Sequence, residues 1–206
     1  AFFEQALGFT KTGETLIADR DYDYAVGVFG ARVRRASLKL GDEVVHLEQF
    51  VSPAGERIPV DSRSNDLWFQ HFAIVVSDME KAFAHVQQFA ISGISSAPQT
   101  IPASNQAAAG IKAYKFRDPD GHPLELLWFP ADKGNPKWQQ AAGRLFLGID
   151  HTAIGISSTE RSTQFYSELL GFKVAGGTVN TGVTQEQLDN AFGAVVRITG
   201  LRPQRE

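Results

Sequence analysis

The amino-acid sequence predicts an α+β fold assembled from repeated modules, each a strand, a helix and three further strands. Two internal echoes and one recurring element order predict it. Residues 2–9, Phe-Phe-Glu-Gln-Ala-Leu-Gly-Phe, return 163 positions later as residues 165–172, Phe-Tyr-Ser-Glu-Leu-Leu-Gly-Phe. The same offset carries Phe29-Gly30-Ala31 onto Phe192-Gly193-Ala194 and Val33-Arg34 onto Val196-Arg197, with 12 identities in the 39 ungapped positions from 2 to 40. A shorter echo at an offset of 80 relates residues 71–80 to 151–160, where His, Ala, Ile, Ser and Glu recur. Repeats at fixed offsets mark duplicated structural units, here of about 80 residues beginning near −12, 71 and 151. The expected division is a first module over 1–52 without its first strand, a linker over 53–64, a complete second module over 65–130, a linker over 131–145, and a third module over 146–206 that stops short of its last strands.

Each element has a local reason. In the first module, strands are expected over 11–18, 31–40 and 43–51, the last two joined by a Gly41-Asp42 turn. In the second, residues 69–76 form an apolar run rich in β-branched and aromatic side chains, which reads as a strand. Ser77 and Glu80 then match a capping box that opens a helix over 78–90. Strands over 111–116 and 123–129 flank Asp118-Pro119-Asp120-Gly121, a strong turn signal. The third module repeats the pattern with Ser157, Glu160 and a helix that closes at Leu170-Gly171, where glycine suits a left-handed cap.

Composition narrows the function classes. The 206 residues are 43% apolar and 21% charged, with a net charge of −3, which describes a soluble globular protein with one large core or two small ones. A near-neutral chain lacks the basic surface that a phosphate backbone demands, so a nucleic-acid partner is not expected. No run approaches the roughly 20 apolar residues of a membrane helix. The chain has no cysteine, which excludes disulfides, thiolate nucleophiles and Cys-based zinc sites. It suits a reducing cytoplasm, the expected location.

Strand period decides which side chains share a face. His71, Ala73 and Val75 share one face of the second module's first strand, and Phe72, Ile74 and Val76 the face expected under the helix. On its last strand, Glu125 stands among Leu124, Leu126, Leu127 and Trp128, where an ionised carboxylate needs a cation or a strong hydrogen-bond partner. On the matching strand of the first module His46 aligns with Glu125, and Glu48 lies on the same face. Imidazole and carboxylate together suit Fe, Mn, Ni, Co or Zn, although a strand histidine also serves as a hydrogen-bonded structural residue. Other polar residues read more simply. His122 belongs to its turn, His85 to a solvated helix face, and Arg32, Arg34, Arg35 and Lys39 to a solvated sheet face. The stretch 107–110 lacks the spacing of a phosphate loop.

The module order, the Leu-Gly-Phe helix ends and the run Phe116-Arg117-Asp118-Pro119-Asp120-Gly121-His122-Pro123-Leu124-Glu125-Leu126 resemble the vicinal oxygen chelate superfamily. That group contains glyoxalases, methylmalonyl-CoA epimerases, fosfomycin and bleomycin resistance proteins and extradiol dioxygenases. The resemblance implies paired modules that form a cup-shaped mixed sheet with helices outside. It also implies a divalent metal ion held by the first-strand His and the last-strand Glu. Carried over, these are His71 and Glu125, on which any catalysis would also rest, with His46 at the Glu position of the first module and Glu48 as its rival. His151 occupies a ligand position in the third module, and its last-strand partner would fall beyond Glu206, so a second site between third and fourth modules is an expectation.

The implied activity is that of a metalloenzyme, a lyase or isomerase acting on a small oxygen-rich substrate by bidentate chelation and Lewis-acid stabilisation of an oxyanion. Ring-cleavage dioxygenase chemistry ranks behind it, because residues 103–113 lack the additional histidine of that group. The alternative is a metal-free binder of the bleomycin-resistance type. The partner expected is a small molecule, with neither nucleic acid nor membrane, and homo-oligomerisation is left open.

Overall fold

A computed structural model describes residues 1–204 of the chain. Arg205 and Glu206, at the end of the expected third module, lie outside the described residues. The first third of the chain runs α1 (Phe2–Leu7), β1 (Thr10–Ile17), α2 (Arg20–Val26), β2 (Arg32–Leu40) and β3 (Glu43–Ser52). The middle runs β4 (Gln70–Val76), α3 (Met79–Val86), the short strands β5 (Ser92–Gly93) and β6 (Gln99–Thr100), β7 (Lys112–Arg117) and β8 (Pro123–Trp128). The last third runs β9 (Phe146–Ile154), α4 (Thr159–Gln164), β10 (Lys173–Thr181), α5 (Val183–Asp189) and β11 (Val195–Arg202). No helix among the described residues is long and apolar enough to cross a membrane.

The strands form three open sheets. β1, β2 and β3 make an antiparallel meander, β10 and β11 a two-stranded ribbon, and the largest sheet has the order β5-β7-β8-β4-β9 with β6 also on β7. β4 lies inside that sheet, parallel to β8 and antiparallel to the edge strand β9. The module order expected from sequence is present in this mixed α+β architecture, and the alternation of faces is as expected. Ile74 and Val76 of β4 and Leu124 and Leu126 of β8 pack with Met79, Ala82 and Val86 of α3. Ala73 and Leu127 face the other way and pack with Ala113 of β7 and Leu188 of α5.

The first third docks on the helix side of this sheet. Phe3, Ala6, Leu7 and Phe9 from α1 and its exit, with Leu38 and Leu40 of β2, complete the same buried cluster. Glu43, after the β2–β3 turn, pairs with Lys137 at 2.7 Å and accepts a 3.1 Å bond from the Ile149 amide of β9. The duplication is visible in the helix ends. Gly8 and Gly171 both take left-handed φ values of 70° and 71°. In both copies the following Phe amide closes back on the helix, Phe9 to the Phe3 carbonyl and Phe172 to the Tyr166 carbonyl, at 3.0 Å each. This is the closing bond of a glycine-capped helix.

Several local expectations need correction. The α3 cap is Asp78, whose Oδ1 accepts from the Lys81 amide at 3.0 Å, while Ser77 donates to the Arg144 carbonyl. Likewise the α4 cap is Ser158 and not Ser157. α3 ends at Val86, four residues before the expected limit, as Gln87 turns its side chain onto the Tyr114 hydroxyl. A five-residue π-helical turn, Phe165–Leu169, continues α4. α2 and α5 are not foreseen from sequence. They occupy equivalent positions in the duplication, and each is only seven residues long. His85 is half-buried, with its ring against Phe89 and Phe146 and its Nε2 3.2 Å from the Gln5 carbonyl oxygen.

Leu126 is fully buried between β8 and α3. Leu126→Ala should lower the unfolding free energy by about 2–5 kcal/mol, as expected for a leucine whose cavity cannot collapse. Urea unfolding measures it, and a loss below about 1 kcal/mol would contradict the packing described.

Candidate metal centre

Three strands deliver one ligand-bearing side chain each to the same spot. In the ladders of β4, Ala73 stands opposite Glu125 of β8 on one side and His151 of β9 on the other. His71 lies two residues from Ala73 and therefore on the same face. The small side chain of Ala73 leaves room above it, and the three flanking groups close over that gap. His71 Nε2 is 3.3 Å and His151 Nε2 3.5 Å from the same oxygen, Glu125 Oε2. One ligand atom from each residue lies within 4.8 Å of the other two.

Burial is uneven. The side chains of His71 and Glu125 are 8% and 7% exposed, whereas that of His151 is 40% exposed. The cluster therefore opens toward solvent on the His151 side. Behind His151 stands a second carboxylate. Asp150 Oδ2 lies 2.9 Å from His151 Nδ1, and Asp150 Oδ1 accepts a 2.9 Å bond from the Trp138 indole N–H. This chain of contacts fixes the ring so that Nδ1 faces Asp150 and Nε2 faces Glu125. An imidazole whose rear nitrogen is held by a carboxylate is the usual orientation of a metal-ligating histidine.

The charges follow from this geometry. Burial works to raise the Glu125 carboxyl, but the facing imidazoles of His151 and His71 and the nearby Lys115 hold it well below the usual carboxylate range. Burial works to lower His151, yet the carboxylates of Asp150 and Glu125 push it up to about 9. Asp150 is also lowered, its desolvation outweighed by His151 and the Trp138 indole.

The residues fit a divalent cation. The two His–Glu separations exceed the usual 2.7–3.2 Å range of N–H···O hydrogen bonds. They suit ligands arranged about a common centre, since atoms each about 2.1 Å from an ion stand roughly 3.4 Å apart at a tetrahedral angle. His71 Nδ1 is buried with no hydrogen-bond partner among the described residues, so a satisfied hydrogen-bond network does not account for this ring. Two imidazoles and one carboxylate form a donor set for Fe, Mn, Co, Ni or Zn and leave further coordination positions free.

The remaining sequence candidates lie elsewhere. His46 Nδ1 is 3.0 Å from the Ser37 hydroxyl, on the β2–β3 pair. Glu48 is held by Arg35 at 2.5 Å and accepts a 2.7 Å bond from the Tyr22 hydroxyl. Neither joins His71 and Glu125, because β3 belongs to the three-stranded sheet and makes no ladder with β4 or β8. The first module's candidates thus stand apart from His71 and Glu125, on a different sheet. The structure pairs the second with the third through β4 and β9, and His151 completes the set. Sequence reasoning missed Asp150 and Trp138, although an Asp next to a candidate ligand histidine was a readable signal. His122 serves its turn, where Asp118 Oδ1 accepts from the His122 amide at 2.8 Å.

Comparison with known proteins agrees with the fold. The family model described as Glyoxalase/Bleomycin resistance protein/Dioxygenase superfamily matches residues 1–126 and 148–199, and the chain belongs to that superfamily. Among curated protein sequences no relative matches. Of the solved structures, glyoxalase I from Zea mays superposes over 97% of this chain with a TM-score of 0.55 at 17% identity. The chain spans 61% of the maize protein. A glyoxalase family protein from Enterococcus faecalis is 27% identical with a TM-score of 0.40, over 61% of this chain and 82% of its own. One from Bacillus cereus is 11% identical with a TM-score of 0.48, over 61% and 85% respectively.

A protonated His151 must release its proton before it can ligate a cation. Because its pKa is raised to about 9, metal affinity should climb as pH rises from 7 toward 9, by up to about tenfold per pH unit. Calorimetric titration of the metal-free protein across that range measures it. A flat profile would show that His151 is not a ligand.

Proposed function

We propose that the protein is a divalent-metal-dependent enzyme of the vicinal oxygen chelate type, acting on a small oxygen-rich substrate. The observation that supports this best is the convergence of His71, Glu125 and His151, from three adjacent strands, within 4.8 Å of one another. A bound divalent cation would supply Lewis-acid polarisation of two adjacent substrate oxygens and stabilise the oxyanion that forms.

The chain's own residues would do the rest. Glu125, kept ionised by its imidazole neighbours, would contribute the one negative charge among the three ligands and balance half of a divalent charge. His71, buried beside Phe69 with ring centroids 5.9 Å apart, would anchor the dry side of the site. His151, aimed by Asp150 and Trp138, would hold the solvent side, where substrate enters. Three protein ligands leave positions for two substrate oxygens, which is what bidentate chelation requires. The reaction class favoured is lyase or isomerase.

Elemental analysis of the purified protein tests the reading. The wild type should carry about one equivalent of a first-row divalent metal, and His71→Ala and Glu125→Ala should each lose most of it, since each removes one of three ligands. Metal-free wild type, unchanged in small-molecule binding by either substitution, would instead establish the binding-protein alternative.

A further inference from the structure

Lys115 is the residue of this face that the metal-site reading leaves unexplained. It stands directly opposite Glu125 in the β7–β8 ladder. Opposed residues of an antiparallel pair have Cα atoms about 4.5–5.5 Å apart and side chains on the same face. Both residues are buried, at 9% and 5% exposure. A buried ammonium takes the nearest available carboxylate as its counterion, because an unpaired charge in such surroundings is costly. By position that carboxylate would be Glu125.

The structure shows Lys115 engaged elsewhere. Its Nζ pairs with Asp189 Oδ1 at 2.5 Å, and the other oxygen of Asp189 accepts a 2.6 Å bond from Gln185. Both acceptor and support come from α5, in the third module. α5 is itself fastened over the sheet. Leu188 packs on Ala73, Ala113 and Leu127, and its carbonyl accepts a 2.7 Å bond from the Ser95 hydroxyl, which in turn accepts from the Lys115 amide at 2.8 Å. The carboxylate is particular to this copy of the repeat. The equivalent position in α2, 163 residues earlier, is Val26, which is exposed.

We infer that Asp189 is a positioning residue that holds the Lys115 ammonium away from Glu125 and so keeps the Glu125 carboxylate free to ligate a cation. The inference rests on the metal-centre reading above. Without Asp189, Lys115 swings to Glu125, occupies the ligand oxygen and places a positive charge beside the cation position. α5 then has two functions, covering the sheet next to the site with Leu188 and neutralising the lysine that stands opposite Glu125.

The test is calorimetric titration of the metal-free protein with Co2+, and its readout is affinity. Asp189→Asn should weaken Co2+ binding by about 10- to 100-fold, the usual scale for removing an outer partner of a metal site. The double variant Lys115→Met with Asp189→Asn should return affinity to near the wild-type value, because no ammonium remains to compete. A purely structural latch predicts the opposite for the double variant, which would bind as weakly as Asp189→Asn. That result, or wild-type affinity in Asp189→Asn, overturns the inference. Should Asp189→Asn fail to fold, Gln185→Leu loosens the same carboxylate while leaving both charges in place. It should weaken binding several-fold, with recovery when combined with Lys115→Met, and unchanged affinity overturns the inference. A wild type that binds no Co2+ overturns the metal-centre reading and this inference with it, whereas failure in the variants alone leaves that reading standing.

Discussion

The pairing of β4 with two different partners is the constraint on which the molecule turns. β4 runs parallel to β8, its own module's last strand, and antiparallel to β9, the first strand of the next. The parallel ladder fixes Glu125 beside Ala73, and the antiparallel ladder fixes His151 on the other side. Because side chains alternate across a strand, a slip of one residue in either ladder would send Glu125 or His151 to the helix-covered face. The apolar residues of the opposite face, Ile74, Val76, Leu124 and Leu126, oppose such a slip, since it would expose them. The oily layer under α3 thus holds the polar constellation above it in register.

Much of this is legible in the sequence itself. Alternation placed His71 with Ala73 and Val75, and Leu124 with Leu126, correctly on opposite faces. A carboxylate set among Leu and Trp announced itself as a group needing partners, and Glu125 has two imidazoles around it. The turn at 118–121 and the glycine caps at Gly8 and Gly171 follow from backbone sterics, which are local and therefore readable.

What was not legible is non-local. Whether the second module pairs with the first or the third depends on strand edges that meet across long chain separations, and neither composition nor period encodes it. That is why His46, which matches Glu125 in the repeat alignment, lies on another sheet, while His151, whose partner the repeat places in a fourth module, stands beside the second. α2 and α5 leave no readable pattern, because seven residues span barely two helical turns, too few for an amphipathic period to show. The capping residues slipped by one position, to Asp78 and Ser158, because consecutive Ser and Asp side chains can all serve as caps.

The uneven burial of His71, Glu125 and His151 has a consequence for how the two modules stay together. His71 and Glu125 come from one module, whereas the half-exposed His151 comes from the other. A cation bound by all three would act as a cross-link across the β4–β9 seam. Its binding free energy would be added to the cost of parting the modules. Removing the ion would return the seam to its hydrogen bonds and to the packing of Leu188. Cohesion between the repeats would then be set in part by cation supply, a thermodynamic linkage that neither module could show alone.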